Sequence, residues 1–237
     1  MIVIIHNRKG GVGKTTTAIN VAMNLADAGE HVLLIDGDHQ HNASRGLGCD
    51  PRPGVFEWIV HQQFMPQTVR PLLDLLPSAS QPGSLDRQWL QEARLDTVAN
   101  RFRSLPHYDW VIVDTAPSES PWVDALLRLG EFILIPVDFS IYSIEGVADL
   151  LGVLDRRRII GLVPVRYDLR NNRSIELLDF LKHAGADLVA PPIRVGVDVD
   201  RAAQKGLSMA EFNPRSTVAE DYRILTDWMV TRLAEKI

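Results

Sequence analysis

Short runs of apolar, β-branched residues alternate along this chain with longer segments in which apolar residues recur every three or four positions. The short runs predict strands, and several are apolar at almost every position, as in a parallel sheet covered by helices on both faces. The predicted strands are 2–6, 31–36, 72–77, 109–114, 132–137, 158–165 and a less regular run at 187–191. The helical spacing covers 15–28, 86–104, 143–155, 174–184 and 216–235.

This alternation predicts an α/β fold: a doubly wound, mostly parallel sheet flanked by helices. We expect residues 1–237 to form a single domain, because no linker or shift in composition divides the chain. The proline-rich segment 50–71 is expected to be irregular around a short helical piece, and the polar segment 77–84 to be a loop. In such a sheet, ligands bind beyond the carboxyl ends of the strands.

Composition narrows the possible classes of protein. The single cysteine, Cys49, rules out a disulfide or a thiolate metal cluster within the chain. No apolar run is long enough to span a membrane, and Met1–Ile5 is too short for a signal peptide. These features favour the reducing cytoplasm. The net charge of −5 does not indicate nucleic-acid binding, which would need a local basic patch.

The segment KGGVGKTT, residues 9–16, follows the first predicted strand and opens the first helix, as a phosphate-binding loop does. Its predicted nucleotide-binding residues are Lys9, Gly10, Gly11, Val12, Gly13, Lys14, Thr15 and Thr16. The glycines let successive N–H groups surround phosphate oxygens. Lys14 is expected to reach the β- and γ-phosphates, and the Thr15 hydroxyl to ligate Mg²⁺. Arg8 stands where the strict GxxxxGK[ST] pattern has its first glycine.

Carboxylates end two further predicted strands. Asp36 and Asp38 lie in VLLIDGDHQHNAS, and Asp114 ends the apolar strand of YDWVIVDTAPS, which has the Walker B pattern. Asp114 is predicted to hold Mg²⁺, usually through water. His39 and His41 beside the acids are compatible with a metal site, although a solvated loop is the favoured interpretation.

The segment KGGVGKTTTAINVAMNLA resembles the deviant Walker A motif of the ParA/MinD family of ATPases. The chain is most similar to ParA/Soj-type partition ATPases that lack an N-terminal helix-turn-helix. Residues 32–44 resemble the family's first switch, DxDPQGN, with His39 replacing proline and His41 replacing glycine. Residues 108–118 resemble its second switch, and 161–174 its MYDxRT stretch.

The resemblance implies ATP and Mg²⁺ as cofactors and an ATP-sandwiched homodimer. In that family, the lysine at the position of Lys9 contacts the phosphates held by the partner subunit. Asp38 would orient the attacking water and the Mg²⁺ shell, and Asp36 would support it. The implied catalytic residues are therefore Lys9, Lys14, Asp36 and Asp38. Because no general base is evident, we expect slow hydrolysis that depends on positioning.

The implied function is DNA partition. The ATP-bound dimer would bind non-specific DNA and would be released when a centromere-binding, ParB-like protein stimulates hydrolysis, which moves plasmid or chromosomal DNA over the nucleoid. The candidate DNA contacts are Arg194, Arg201 and Lys205, although Asp198 occupies a position where the family has arginine.

Other functions remain open. A ParA-like ATPase could instead position a protein cargo on the nucleoid. A MinD-like, membrane-cycling ATPase would need an amphipathic anchor. Residues 222–237 carry an apolar stripe, but we interpret it as a core helix and expect no membrane binding. A metallocluster relative is excluded because it needs cysteines in the later half of the chain, whereas the single cysteine is Cys49.

Overall fold

A computed structural model describes residues 1–50, 53–78, 95–168 and 170–236, and its centre is one eight-stranded sheet. The strands are β1 (Ile2–Ile5), β2 (Val32–Gly37), β3 (Gln67–Arg70), β4 (Leu73–Leu76), β5 (Trp110–Thr115), β6 (Phe132–Val137), β7 (Ile159–Tyr167) and β8 (Ile193–Arg194). Their order across the sheet is β3-β4-β2-β5-β1-β6-β7-β8, with β3 antiparallel to β4 and the other described pairs parallel. The predicted doubly wound, mostly parallel α/β sheet is confirmed.

Helices cover both faces of this sheet. The α-helices are α1 (Lys14–Asp27), α2 (Asn42–Gly46), α3 (Val55–His61), α4 (Leu95–Arg103), α5 (Pro121–Leu129), α6 (Ile141–Val153), α7 (Asn172–Gly185), α8 (Val199–Gln204), α9 (Met209–Phe212) and α10 (Thr217–Ala234). Successive residues of β1 point to opposite faces. Val3 and Ile5 therefore belong to the core cluster that includes α1 and α10, whereas Ile4 belongs to the cluster on the other face, which includes α3, α4 and α5. Both faces are buried, which explains the nearly continuous apolar runs.

Several elements differ from the sequence prediction, among them the short helices α2, α8 and α9, which were not predicted. The segment 50–71, predicted to be irregular, contains β3, whose polar, partly exposed residues give little strand signal. The predicted strand 187–191 is wrong: Ala186–Leu188 form a 3₁₀ turn, Val189 makes an isolated bridge to Leu162, and the strand lies at β8. Helix α5 was not predicted, although its sequence carries cap signals.

The cap signals of α5 are clear once its position is known. The Ser120 hydroxyl accepts a hydrogen bond from the Val123 N–H, and Pro121 occupies the first turn. The remaining predicted helices match α1, α6, α7 and α10 to within a few residues. For the predicted helix 86–104, the described part is α4. Residues 86–94, and most of the predicted loop 77–84, lie outside the described residues.

Candidate nucleotide-binding site

The central strands bring the sequence-predicted site residues to one edge of the sheet. Strand β5 lies between β1 and β2, and Asp114 is in register with both Ile5 and Asp36. The loop after β1, the Asp36–Asp38 segment and the residues after β5 therefore meet at the carboxyl edge. This is the edge at which α/β sheets bind ligands.

Contact between β2 and β5 is close at Gly37. A Cβ atom at this position would lie 2.6 Å from the carbonyl oxygen of Asp114. The Gly37 carbonyl accepts a hydrogen bond of 2.9 Å from the indole of the buried Trp122. A residue larger than glycine would push the strand ends apart, so Gly37 sets the spacing of the two carboxylates beside it.

The glycine loop has the backbone that a phosphate-binding loop requires. Gly11 and Gly13 have φ values of 74° and 78°, in the left-handed region that favours glycine. Gly13 is the N-cap of α1, so the positive end of that helix faces the loop. Val12 is fully buried and anchors the loop.

An open cleft follows the loop. It is lined by Gly10, Gly11, Gly13, Lys14, Thr15, Thr16, Asp38, Gln40, Asn42, Pro117, Arg166 and Ala203. The ammonium group of Lys14 folds back over the loop and donates a hydrogen bond of 2.8 Å to the Lys9 carbonyl. Burial lowers the pKa of Lys14, although the nearby carboxylates of Asp114 and Asp38 oppose this shift.

Thr15 and Asp114 form a direct contact beside the cleft. The Thr15 hydroxyl donates a hydrogen bond of 2.7 Å to Asp114 Oδ2. The other carboxylate oxygen of Asp114, Oδ1, is buried and has no hydrogen-bond partner among the described residues. A buried acceptor without a partner is costly. Oxygen ligands of this kind fit Mg²⁺, which is commonly held by one or two carboxylates and by substrate phosphates.

The first-switch carboxylates are also buried. Asp36 Oδ2 accepts hydrogen bonds from the Ser44 amide at 2.8 Å and from the Ser44 hydroxyl at 2.6 Å. Asp38 lines the cleft, and its Oδ1 accepts a hydrogen bond of 2.9 Å from the Gln40 amide. Asp36 therefore holds the segment after β2 in place, and Asp38 is the carboxylate that faces the cleft.

Burial dominates the electrostatics of the carboxylate pair. It raises the pKa of Asp36 to about 6, although the hydrogen bonds from Ser44 oppose this. Burial, together with the negative charge of Asp36, also raises the pKa of Asp114 well above its usual value. A cation placed between these groups would favour their ionised forms.

Lys9 is held away from the cleft. Its ammonium group lies 2.7 Å from Asp138 Oδ2 and 2.9 Å from Oδ1, and it also donates to the Ser140 hydroxyl. Burial opposes ionisation of Asp138, but the hydrogen bonds from Lys9 and Ser140 outweigh it and lower the pKa of Asp138. Within the described part of the chain, the cleft lining does not include Lys9.

Sequence reasoning missed several residues that support the site. Asn7 accepts a hydrogen bond from the Lys9 amide at 2.9 Å and donates one of 2.7 Å to the Pro136 carbonyl, which ties the loop to β6. His6 Nδ1 lies 2.8 Å from the Thr115 hydroxyl, directly after Asp114. In the sequence, His6 and Asn7 could have been recognised only as polar residues that directly follow an apolar strand.

Of the candidate DNA residues, Arg194 ends β8, Arg201 lies in α8 and Lys205 directly follows α8. The Arg194 guanidinium forms a two-pronged ion pair with Asp221, with a shortest distance of 2.6 Å. Arg201 Nη1 lies 3.5 Å from Asp198 Oδ1, and the Arg201 side chain is 69% exposed. Lys205 lies over the Phe212 ring, 5.2 Å from its centroid. Arg194 is thus paired within the fold, whereas Arg201 and Lys205 face solvent.

The neighbouring histidines do not gather metal ligands. His39 Nδ1 lies 3.6 Å from Asp38 Oδ1, and His41 is buried with a positive φ of 58°. Among the described residues, no group of three or more histidine, cysteine, aspartate or glutamate side chains has the geometry to hold a metal ion. A phosphate-bound cation needs fewer protein ligands.

The apolar stripe of the last helix, α10, packs into the core. Leu225, Met229 and Leu233 are fully buried, and Trp228 lies against the backbone of Gly161. The interpretation of this stripe as a core helix is confirmed, although Ile224 is 46% exposed. None of the described helices is both long and apolar enough to cross a membrane.

Comparisons with known proteins agree with this geometry. A family model described as an AAA domain matches residues 1–159. The chain is 33% identical to the chromosome-partitioning ATPase Soj of Thermus thermophilus over 244 residues, which cover 98% of this chain and 96% of Soj.

Two solved structures share the fold. One is a plasmid partition protein from Borrelia burgdorferi bound to AMPPNP, with a TM-score of 0.82 and 23% identity over 100% of this chain and 99% of that one. The other is the septum site-determining protein MinD from Pyrococcus horikoshii complexed with Mg-ADP. It has a TM-score of 0.81 and 21% identity over 100% of this chain and 98% of that one.

A P-loop ATPase is the class of protein that the fold and this edge of the sheet define. The chain belongs to the ParA/MinD family of deviant Walker A ATPases, and the resemblance stated from its sequence is confirmed. Within that family it is a ParA-type ATPase.

Proposed function

We propose that this protein is a partition ATPase that forms an ATP-sandwiched dimer, binds non-specific DNA in that state, and is released by partner-stimulated hydrolysis. Its cargo would be plasmid or chromosomal DNA, and it would act on the nucleoid in the cytoplasm. The centromere-binding partner would be a ParB-like protein. The similarity to Soj, a chromosome-partitioning ATPase, supports this proposal.

The placement of the two loop lysines carries the dimer part of the proposal. Lys14 lines the cleft, so it can serve the nucleotide of its own subunit. Lys9 is paired with Asp138 and Ser140, which follow β6, and does not line the cleft. A cation next to the loop but outside its own cleft is suited to a nucleotide in a partner subunit, where it would stabilise charge only after assembly.

The carboxylates suit magnesium-dependent hydrolysis. Thr15 and Asp114 would hold Mg²⁺, the latter through water, and Asp38 would orient the attacking water. Bound Mg²⁺ would neutralise charge on the β- and γ-phosphates. Asp36 keeps the Asp38 segment in position through its bonds to Ser44. With positioning as the main source of catalysis, turnover would be slow until a partner stabilises the active arrangement.

For the DNA contact, we propose that Arg201 and Lys205 bind phosphates and that Arg194 contributes from its pair with Asp221. Such contacts depend on charge, so affinity would fall as salt rises. The net charge of −5 makes a local surface necessary, because the whole protein does not attract DNA.

Co-sedimentation with non-specific duplex DNA tests the proposal. The purified protein is mixed with DNA, or with anionic liposomes, in the presence of ATP or ADP at two salt concentrations. We expect ATP-dependent, salt-sensitive binding to DNA and none to liposomes. Binding to liposomes alone would instead support a membrane-cycling ATPase, and binding to neither would refute the DNA contact.

A Lys9→Ala variant tests the dimer directly. It should bind ATP with nearly normal affinity and yet fail to dimerise or hydrolyse ATP. Lys14→Ala serves as the matched comparison, because it should lose nucleotide binding itself. Normal ATP turnover by Lys9→Ala would refute the role in the partner subunit.

A further inference from the structure

We propose that Arg166 binds the phosphate chain of the nucleotide held by its own subunit, as a further cation beside Lys14. This inference rests on the proposed nucleotide-binding function and adds to it a binding residue contributed by β7. It does not depend on DNA as the cargo.

Arg166 interrupts the regular pairing of β7 with β8. Val165 pairs with Ile193, and Tyr167 pairs with Arg194. Ile193 and Arg194 are consecutive in β8, so Arg166 is an extra residue in β7 between the two pairs. An extra residue of this kind is a β-bulge, which re-aims a side chain and occurs often beside active sites. Val165 and Tyr167 are buried, whereas Arg166 is exposed.

The conformation of Arg166 is unusual for its residue type. Its φ is 57°, in the left-handed region that a residue with a Cβ rarely adopts. Holding such a residue there costs free energy. Strain of this kind persists where the surrounding structure imposes it, and it concentrates at ligand sites.

Arg166 lies where two clefts join. It lines the phosphate cleft together with the glycine loop and Asp38. It also lines a neighbouring cleft with Ile193, Val195 and Tyr222. Gly13 and Thr16, at the start of α1, line both clefts as well. A nucleotide with its phosphates on the glycine loop and its remainder in the second cleft would pass directly by Arg166.

The Arg166 charge acts on the nearby Tyr222 hydroxyl but is not matched by an acidic side chain in the described part of the chain. Among the described residues, no hydrogen bond or ion pair of its guanidinium is found, whereas Arg170 pairs with Asp168 and Arg194 with Asp221. A planar guanidinium matches phosphate oxygens with two parallel N–H donors. The bulge therefore presents a free cation to the part of the cleft that an anionic phosphate chain would occupy.

The test measures Mg·ADP affinity of the full-length protein by titration calorimetry, at two salt concentrations. ADP is used because it does not require the sandwich dimer. Arg166→Met removes the charge but keeps a Cβ and a similar length, and Arg166→Lys keeps the charge. Arg103→Met, at the end of α4, is the matched control for loss of an exposed arginine. Melting temperatures without nucleotide show that each variant folds.

We expect Arg166→Met to bind ADP about tenfold more weakly, since hydrogen bonds to charged groups contribute strongly. Arg166→Lys should lose less, and the salt dependence of the Met variant should be shallower. Unchanged ADP affinity of Arg166→Met would overturn the inference. If that variant also lost DNA binding, Arg166 would belong to the DNA surface instead. An equal loss in both variants with unchanged salt dependence would also overturn it.

The two proposals can fail separately. A wild-type protein that binds ADP through Arg166 but never binds DNA would refute the DNA-partition function and leave this inference standing. If the wild-type protein binds DNA with ATP and the Arg166→Met variant binds ADP normally, this inference is refuted and the DNA-partition function stands.

Discussion

The ammonium nitrogen of Lys9 lies 2.7 Å from the carboxylate of Asp138, across the gap between the phosphate loop and β6. The Lys9 and Asp138 side chains are only 27% and 12% exposed, so water weakens this pair less than it weakens a surface pair. If Lys9 serves a partner's nucleotide, it must first leave Asp138. The pair would then favour the monomer over the dimer.

We therefore expect Asp138→Asn to favour assembly. Removing the charge should weaken the hold on each Lys9 by about 1 kcal/mol, and each dimer releases two such pairs, so ATP-dependent dimers should form at roughly thirtyfold lower protein concentration. Analytical ultracentrifugation with ATP and with ADP measures this shift. Asp124→Asn, which removes an exposed carboxylate paired with Arg128, is the control. Weaker dimerisation of Asp138→Asn would show that Asp138 supports assembly.

Asp38→Ala should separate ATP binding from hydrolysis. Asp38 is the switch carboxylate that lines the cleft, so its loss should leave the nucleotide bound while the attacking water is no longer oriented. We expect turnover to fall roughly a hundredfold and an ATP-bound dimer to accumulate. Phosphate release and size-exclusion chromatography measure the two effects, with the exposed Asp96→Ala as control. Unchanged hydrolysis would mean that another residue positions the water.

Arg194→Ala should reduce stability as well as any DNA affinity. The Asp221 side chain is only 7% exposed, and the Arg194 guanidinium is its side-chain partner. Leaving a buried carboxylate without its cation should lower the free energy of unfolding by about 2 kcal/mol. Urea unfolding measures this loss, and Arg201→Ala should cost little because that side chain is exposed.

The double variant Arg194→Ala/Asp221→Ala separates pairing from other effects. If the pair accounts for the loss, the double variant should be less destabilised than the sum of the two single variants. Simple additivity would show that the two residues act independently.

His6 should make the folded protein sensitive to acid. Burial, with smaller contributions from Lys14 and Arg8, lowers the pKa of His6 to about 3. In the unfolded chain, His6 is protonated near its ordinary pKa of 6.5, whereas in the folded chain it stays neutral down to a much lower pH. The unfolded state therefore binds more protons as pH falls from about 6.5 towards 3, and stability is lost in that window.

Between pH 7.5 and 5.5, this residue alone should reduce the free energy of unfolding by about 1 kcal/mol. The check is urea unfolding of wild-type and His6→Gln protein at both pH values. The variant should lose less stability than wild type over this range. The raised pKa of Asp36 acts in the opposite direction, but Asp36 is present in both proteins, so its effect cancels in the comparison. An identical pH dependence would contradict the burial of a neutral His6.

The sequence by itself determined the elements that carry the chemistry. Apolar runs identified β1, β2 and β5, because strands buried on both faces need apolar residues at nearly every position. The phosphate loop was predicted from its glycines together with Lys14 and Thr15. Few residue combinations let backbone N–H groups and the end of a helix face a phosphate, so this pattern is specific. Asp36, Asp38 and Asp114 followed as residues at strand ends.

Tertiary structure alone decided which groups meet across the sheet. Parallel register placed Asp36 beside Asp114, and the neighbouring strands β1 and β6 brought Lys9 to Asp138. Packing of α10 against β8 brought Arg194 to Asp221. The bulge that turns Arg166 towards the clefts depends on the pairing of β7 with the two residues of β8. Such contacts join residues far apart along the chain, so local periodicity and propensity carry no record of them. Their geometry arises only when the strands pack.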